Sequence, residues 1–235
     1  SYSAFSQSLL DKKDRITVDL QRISAELNSR NNIKTIQLGN DVNLTFQIEE
    51  NTVLDGPFKE ENPDIKSYYI MENGIIKGSF TYFPHGIWIN CQKNGQYISI
   101  SPDWNSKSNS REHILKYGYK PVLQGSCGGD DRGKAIDFAT FRKMKNKRAD
   151  LVDKLEYKMA VVATGEFTVA NGGTVTSAKA AITASVNGIS AMYLKQMGIE
   201  FNLVAAQAYV DPNTDPFIPD NSGGQGRTVQ AGIQV

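Results

Sequence analysis

The sequence predicts an α+β fold, in which an N-terminal helix and an antiparallel β-rich region precede a partial α/β unit of strand, helix and strand. Three observations lead to this prediction. Apolar residues recur at helical spacing before residue 31, short alternating runs separated by turns fill residues 31–104, and a strand, a long helix and another strand follow from residue 157. At 235 residues the chain is long enough for one large domain or two smaller ones.

The composition is that of an ordinary globular protein. Hydrophobic residues make up 40% of the chain and charged residues 22%, and the formal net charge is +1. This balance gives no reason to expect nucleic acid or an anionic membrane as a partner. No apolar run reaches the roughly 18 residues that a membrane-spanning helix needs, so no membrane partner is expected either.

The first predicted element is a helix within residues 5–30. Its later apolar residues recur every three or four positions, which places them on one face of a helix. The stripe consists of Phe5, Leu9, Leu10, Ile16, Leu20, Ile23 and Leu27.

The sequence pattern of residues 31–104 predicts an antiparallel sheet. The runs VNLTFQIEE, SYYIMENGIIKGSFTYF, GIWINCQ and QYISISP are rich in β-forming residues and alternate between apolar and polar positions. Turn signals separate these runs. The Asn-Gly pairs in ENG and KNG favour type I′ hairpins, because Asn and Gly accept the positive φ angles of that turn.

Residues 105–156 are polar and lack a regular pattern. The stretch FRKMKNKRADLVDKLEYK carries six basic residues between Arg142 and Lys154. Such a run is usually a solvated helix face or a linker. The alternative is an exposed linker between two folded units that a trypsin-like protease cuts. The candidate cleavage residues are Arg142, Lys143, Lys145, Lys147 and Arg148.

From residue 157 the pattern predicts a βαβ unit. YKMAVVAT is typical of a buried strand, Thr174 is a helix N-cap, and the helix runs to about Met197, where Gly198 ends it in a left-handed conformation. IEFNLVAAQAYV is the next strand, parallel to the first. The predicted core stripe of the helix is Val175, Ala178, Ile182, Val186, Ile189 and Tyr193. One such unit cannot cover both faces of a sheet, so this region looks unfinished.

The chain has two cysteines, Cys91 and Cys127, and two histidines, His85 and His113. The thiols fit either one disulfide or two reduced thiols. Cys91 lies in the β-type run IWINCQ and is expected to be a half-buried structural thiol or a disulfide partner. Neither histidine has a second ligand at a useful spacing, so a surface or capping role is expected for both, and a four-ligand structural zinc site is not expected.

Two segments resemble the opening of the catalytic domain of bacterial reprolysin-like zinc metallopeptidases, which belong to the metzincin clan and are related to the adamalysins. They are ATGEFTVANGGTVTSAKAAITASVNGISAMYLKQMGIEFNLVA and YVDPNTDPF. NPDIKSYYI, GIW and QYISISP resemble the propeptide of such enzymes. The resemblance implies three parts, namely a propeptide-like β-rich domain at 1–140, a basic linker with maturation cleavage at 141–156, and the N-terminal part of a metzincin-like catalytic domain at 157–235.

Metzincins bind their catalytic zinc through HExxHxxGxxH, with the Glu as general base, and this sequence contains no such motif. The resemblance therefore implies the first part of a secreted zinc endopeptidase zymogen, with the rest of the catalytic domain in the same precursor or in a separate chain. Zinc would be the cofactor and peptides or proteins the substrates of the complete enzyme, while this chain alone would be inactive. Two alternatives stay open: a non-catalytic assembly or adhesion module with the same fold, and a peptidase inhibitor that acts in trans.

By the same resemblance, Cys127 in QGSCGGDD is the candidate inhibitory zinc ligand of a cysteine switch. In such a switch a propeptide thiolate occupies the open position of the catalytic zinc and displaces the attacking water. The competing interpretations of Cys127 are a disulfide with Cys91 and an idle loop thiol. No other metal ligand is predicted in the chain.

Overall fold

The computed structural model describes residues 13–29, 33–38, 44–105, 112–118 and 154–217. Within these ranges, eight strands form an antiparallel sheet, here called the large sheet, in the order β1-β8-β7-β6-β5-β4-β3-β2. Its strands are β1 (Lys13–Thr17), β2 (Ile33–Leu38), β3 (Leu44–Glu50), β4 (Lys66–Glu72), β5 (Ile75–Phe83), β6 (Gly86–Lys93), β7 (Gln96–Pro102) and β8 (Glu112–Tyr117).

Two further strands, β9 (Leu155–Ala163) and β10 (Ile199–Ala208), pair in parallel and form the small sheet. The helices of the described residues are α1 (Leu20–Leu27), α2 (Gly56–Glu61), α3 (Gly165–Ala170) and α4 (Val175–Met197). None of these helices is both long enough and apolar enough to cross a membrane. The architecture is mixed and mostly antiparallel, which agrees with the α+β class that the sequence predicts.

The two Asn-Gly hairpins of the large sheet are confirmed. Asn73 and Gly74 join β4 to β5 with φ angles of 52° and 72°, and Asn94 and Gly95 join β6 to β7 with φ angles of 51° and 78°. Positive φ at both central residues is the mark of a type I′ turn, whose twist matches that of the flanking strands.

The N-terminal helix is shorter than predicted, because residues 13–17 form strand β1 instead. This strand pairs with β8 at the edge of the large sheet, and Ile16 and Val18 are buried while Arg15 and Thr17 are exposed. That burial has the period of two that belongs to a strand. The helix begins only at Leu20, after the Asp19 side chain accepts a hydrogen bond from the Arg22 backbone N–H at 3.0 Å. The predicted helical residues 5–12 lie outside the described residues.

The large sheet has a hydrophobic core on each face. On one face, Leu20, Ile23 and Leu27 of α1 pack in a cluster with alternate residues of the strands. On the other face lies a second cluster, which includes residues of α4 and β10. In β5, Phe80 belongs to the first cluster and Phe83 to the second. The sheet is therefore a layer between α1 and the C-terminal elements.

The predicted βαβ unit is confirmed as β9, α4 and β10. Thr174 caps α4 in a capping box with Ser177, and Gly198 ends the helix with a φ of 71°. Helix α3, which lies between β9 and α4, was not predicted. The buried character predicted for β9 is wrong, since most of its side chains are exposed. Within the described residues β9 pairs only with β10, so its other edge has no neighbouring strand there.

The core stripe predicted for α4 is correct in part. Ala178, Ile182 and Val186 are buried, but Val175 and Ile189 are 43% and 39% exposed, and Tyr193 is exposed as well. Small and polar residues take their place in the buried face. They are Ser177, Thr183, Asn187 and Ser190. The helix is turned towards the large sheet by hydrogen bonds that a hydrophobic pattern does not encode.

Candidate functional site

The βαβ unit, which here means β9, α3, α4 and β10, lies on the face of the large sheet opposite α1. Helix α4 contacts β4, β5 and β6, and β10 contacts α2. We call this the docking contact. Its buried apolar residues are Val53, Leu54, Phe58, Ile65, Tyr69 and Phe83 on one side and Ala163, Ala180, Ile182, Val186, Ala191 and Leu203 on the other. The N-terminal part of the chain thus removes an apolar face of the βαβ unit from water.

A short extended segment of the N-terminal part pairs with the outer edge of β10. Leu54 forms a parallel bridge with Leu203. The Leu203 N–H donates to the Val53 carbonyl at 2.6 Å, and the Asp55 N–H donates to the Leu203 carbonyl at 3.3 Å. The segment therefore satisfies backbone groups that would be unpaired at the edge of a two-stranded sheet.

Asn187 is at the centre of a buried hydrogen-bond cluster in the docking contact. Its side-chain N–H group lies 3.2 Å from the Tyr68 carbonyl of β4, 3.0 Å from the Phe80 carbonyl of β5 and 3.0 Å from Thr81 Oγ1. Its carbonyl accepts a 2.9 Å bond from Asn51 Nδ2. Asn187 is fully buried. One amide of α4 therefore engages the backbone of two strands at once, which fixes the position of the helix on the sheet.

Glu200 is at the centre of a second cluster, the Glu200 cluster, which consists of Thr52, Tyr69, Lys154, Ser190 and Glu200. The Tyr69 hydroxyl donates to Oε1 at 2.6 Å, Thr52 Oγ1 donates to Oε2 at 2.6 Å, and Lys154 Nζ lies 2.5 Å from Oε2. Because Tyr69 gives its proton to Glu200, Ser190 donates to the Tyr69 oxygen at 3.1 Å. Thr52 and Tyr69 belong to the N-terminal part, so this cluster also crosses the docking contact.

The charges of the Glu200 cluster stabilise one another. Burial by itself raises the pKa of Glu200, but the hydrogen bonds from Lys154, Thr52 and Tyr69 outweigh it and hold that pKa below its ordinary value. Burial lowers the pKa of Lys154, but its bonds to Glu156 and Glu200 outweigh this effect and raise it. Burial and the bond to Glu200 both raise the pKa of Tyr69. At neutral pH the cluster therefore holds a carboxylate, an ammonium group and a neutral phenol.

The motifs TGEF and DPNTDPF meet at the start of α3. Thr164 caps this helix, and the Gly165 N–H donates to Asp215 Oδ2 at 2.5 Å. A Cβ atom on Gly165 would lie 2.3 Å from the backbone nitrogen of Pro212, so only glycine allows the loop to approach this closely. The Asn213 backbone N–H holds the pKa of Asp211 below its ordinary value. These residues fold the loop after β10 onto the helix after β9.

The predicted inhibitory ligand Cys127 and the predicted cleavage residues Arg142, Lys143, Lys145, Lys147 and Arg148 all lie outside the described residues. The structure does describe Cys91, which is a free thiol with 4% of its surface exposed. Burial raises its pKa to about 12, despite the opposing effect of Lys93. Cys91 is therefore a structural thiol in the core, as one of the two sequence interpretations expects, and it is more buried than predicted.

The two histidines differ from each other in their surroundings. His85 is exposed, as expected, and its ring lies 5.9 Å from that of Phe83. Of the surface or capping role expected for His113, the surface part is wrong, because this side chain is fully buried and its Nε2 accepts a 3.0 Å bond from the Ile87 N–H. Among the described residues, no three His, Cys, Asp or Glu side chains come close enough to hold a metal ion. These residues do not fit the three protein ligands of a catalytic zinc site.

The residues that carry the docking contact were not singled out by sequence reasoning. A signal was present for the helix, because Thr183, Asn187 and Ser190 recur at spacings of four and three and form a polar stripe inside an apolar helix. No comparable signal marks Asn51 or Thr52, since polar residues after a strand are typical of loops. Their roles depend on partners more than 100 residues away.

Residues 154–234 match the sequence model of the metallo-peptidase family M12B, reprolysin-like. The matched range begins at Lys154, includes the whole βαβ unit, and contains both Asn187 and Glu200. Comparison of the chain with curated proteins gives no significant match.

Proposed function

We propose that the βαβ unit is the first part of the catalytic domain of a secreted, zinc-dependent, reprolysin-like endopeptidase, and that the large sheet with its helices is the propeptide that covers it. The family match at residues 154–234 supports the first half of this proposal. The docking contact supports the second half, because it joins the matched range to a part of the chain that the family model does not match.

The observation that carries the proposal is the buried amide of Asn187. It hydrogen-bonds backbone carbonyls in two strands of the large sheet, and a segment next to the sheet pairs with the edge of β10. Breaking such a buried polar contact leaves several groups without partners, which costs roughly 1–3 kcal/mol for each. A covering domain with these contacts can hold an incomplete peptidase unit in a folded state until the remainder of the domain is added.

In this proposal the zinc ligands and the general base come from the remainder of the catalytic domain, either in the same precursor or in a separate chain. When bound, zinc would supply Lewis-acid activation of water for hydrolysis of a peptide bond. The residues of this chain would contribute the fold of the domain and its latency, and the substrates of the complete enzyme would be peptides or proteins.

Latency is proposed to involve Cys127 as the inhibitory ligand and cleavage between Arg142 and Arg148 as the maturation step. Replacing Cys127 with serine in the precursor should raise its peptidase activity before cleavage, as measured with a quenched fluorogenic peptide. Cys91→Ala is the control, because this thiol lies in the core on the face of the large sheet opposite the βαβ unit, and alanine buries no polar group there, so activity before cleavage should be unchanged. Equal activity of the Cys127→Ser variant and the unaltered precursor would argue against the switch.

Limited proteolysis tests the covering role directly. Brief trypsin treatment of the chain should cut among Arg142, Lys143, Lys145, Lys147 and Arg148, and mass spectrometry identifies the sites. The two fragments should then co-elute from a gel-filtration column, because the docking contact does not depend on the peptide bonds that trypsin cuts. Separation of the fragments under native conditions would contradict the proposal. If the precursor shows no peptidase activity that a zinc chelator can inhibit, the result would favour a non-catalytic module.

A further inference from the structure

The carboxylate of Glu200 is placed so that its charge state affects the docking contact. Its side chain is 2% exposed, and it receives hydrogen bonds from Thr52 and Tyr69, which belong to the propeptide side, and from Lys154, which belongs to the matched range. Among the hydrogen bonds described across the contact, those to Glu200 are the ones that involve a carboxylate. The contact therefore contains a titratable acceptor for donors on both sides.

We propose that proton uptake by Glu200 releases the βαβ unit from the large sheet, so that acidification uncovers the propeptide-facing surface of the catalytic unit. This inference rests on the proposed function, since release is a regulatory step only if the large sheet is a propeptide. It adds a chemical signal, acidification, to the proteolytic step proposed above.

The donor pattern around Glu200 is the reason for release. Tyr69 donates a proton to Oε1 of the carboxylate, and Thr52 and Lys154 donate to Oε2. A protonated carboxyl group must itself donate one proton, so it offers fewer acceptor sites and no negative charge to balance the ammonium group.

The groups that face Glu200 determine the direction of the pH effect. Lys154 is the cation beside it. Glu156 is its strand partner in β9 and also contacts Lys154, at 2.7 Å. Tyr69 faces Glu200 from β4, and α4 presents the neutral Ser190. The pKa of Glu200 is held below its ordinary value of 4.5. Glu200 therefore contributes its full stabilisation to docking above that pH, and this contribution is lost as the pH falls through the lowered pKa. Lys154 stays charged throughout this range and does not oppose the change.

The two tryptophans of the chain report on docking. Trp88 and Trp104 have ring centroids 6.3 Å apart. Gly172 of the βαβ unit lies against Trp104, since a Cβ on that glycine would be 2.8 Å from the indole ring. Release of the unit should expose Trp104 to water and shift tryptophan emission to longer wavelength.

The experiment is a titration of the whole chain from pH 7 to pH 3, followed by tryptophan emission and by hydrogen exchange corrected for the intrinsic rate. We expect emission to shift below about pH 4.5, with loss of protection in α4 and in residues 51–55, while β6 and β7 stay protected. Thr52→Val removes one donor to the carboxylate and should move the midpoint of the shift up by roughly one pH unit. Glu200→Gln is neutral at every pH, so it should already show the shifted emission at pH 7 and no further change at pH 4.

Glu156→Gln is the matched control, because Glu156 also contacts Lys154 but its side chain is 49% exposed. The midpoint of the emission shift in this variant should stay close to that of the unaltered chain. Simultaneous loss of protection in α4 and in β6 and β7 would overturn the inference, since the acid step would then be global unfolding. An unchanged midpoint in Thr52→Val would also overturn it. A βαβ unit without protection at pH 7 would instead refute the covering role proposed above, so the two failures are distinguishable.

Discussion

Asn51 donates a hydrogen bond from Nδ2 to Oδ1 of Asn187 at 2.9 Å, across the contact between the large sheet and helix α4. The Asn51 oxygen in turn accepts from Ser67 Oγ at 2.8 Å and from the Val53 N–H at 3.2 Å. Two buried amides thus join the end of β3, the start of β4 and the middle of α4. This pair determines where the helix sits, because a shift of the helix along the sheet would separate the two amides and leave Asn51 Nδ2 and the Asn187 side chain without these partners.

Replacing Asn187 with leucine should destabilise the chain. Leucine has a similar size but leaves the carbonyls of Tyr68 and Phe80 and the amide of Asn51 without this partner, so we expect the free energy of unfolding to fall by about 1–3 kcal/mol or more. Urea unfolding followed by circular dichroism measures this change. Gln196→Leu, on an exposed position of α4, should change it by less than about 0.5 kcal/mol. Equal midpoints for both variants would contradict the assignment of Asn187 as the central contact.

Two glycine-to-alanine substitutions should have opposite effects. In Gly165→Ala the new Cβ would lie 2.3 Å and 2.5 Å from backbone atoms of Pro212 and Asp211, so the loop must move, and we expect a loss of about 1–3 kcal/mol. In Gly188→Ala the nearest atom, Ser79 Oγ, is 3.7 Å away, an ordinary contact. Alanine is the better helix former by about 0.8–1 kcal/mol, so this variant should be more stable than the unaltered chain. Thermal unfolding distinguishes the two, and destabilisation by Gly188→Ala would show that α4 packs more tightly than described.

Tyr69→Phe should weaken the docking contact, because it removes only the hydroxyl group of this side chain. The substitution keeps the buried ring but removes the donor to Glu200 and leaves Ser190 without its acceptor, so we expect a loss of about 1.5–3 kcal/mol, the usual value for a hydrogen bond to a charged group. Tyr97→Phe is the control, because that ring is 42% exposed and its loss of a hydroxyl should be neutral. The measurement is urea unfolding at pH 7. A neutral Tyr69→Phe would mean that Glu200 does not depend on this donor.

Cys91 should resist alkylation in the folded chain. Its pKa is raised to about 12 by burial, so at pH 8 its thiolate fraction is far below that of an exposed cysteine. In a Cys127→Ser background, iodoacetamide should modify Cys91 on the order of 100-fold more slowly without urea than in denaturing urea, as mass spectrometry measures. The raised pKa also favours folding below pH 9.0, the ordinary value for a thiol, and this contribution is lost as the pH rises towards 12. Rapid labelling of the folded chain would contradict the burial of this strand.

Much of the fold could be predicted from the sequence because its signals are local. The Asn-Gly turns, the Thr174 cap and the Gly198 stop each depend on the backbone preferences of one or two residues, and each occurs where expected. Strand β1 was missed for the opposite reason. Its pairing with β8 depends on residues almost 100 positions later, and that pairing overrides the helical spacing of Ile16 with Leu20.

The candidate site likewise has features that the local sequence indicates and features that depend on distant residues. The segments that resemble the peptidase family contain Gly165 and Asn187, and the structure shows a close backbone approach at the glycine and a buried, hydrogen-bonded amide at the asparagine. The sequence by itself determined the order of the local elements and the resemblance of the βαβ unit to a peptidase. Only the tertiary structure decided that the large sheet covers this unit and that Asn51, Tyr69 and Glu200 meet there. Hydrogen bonds between distant residues leave no periodic trace in the chain, because neither partner can be recognised until folding brings them within about 3 Å of each other.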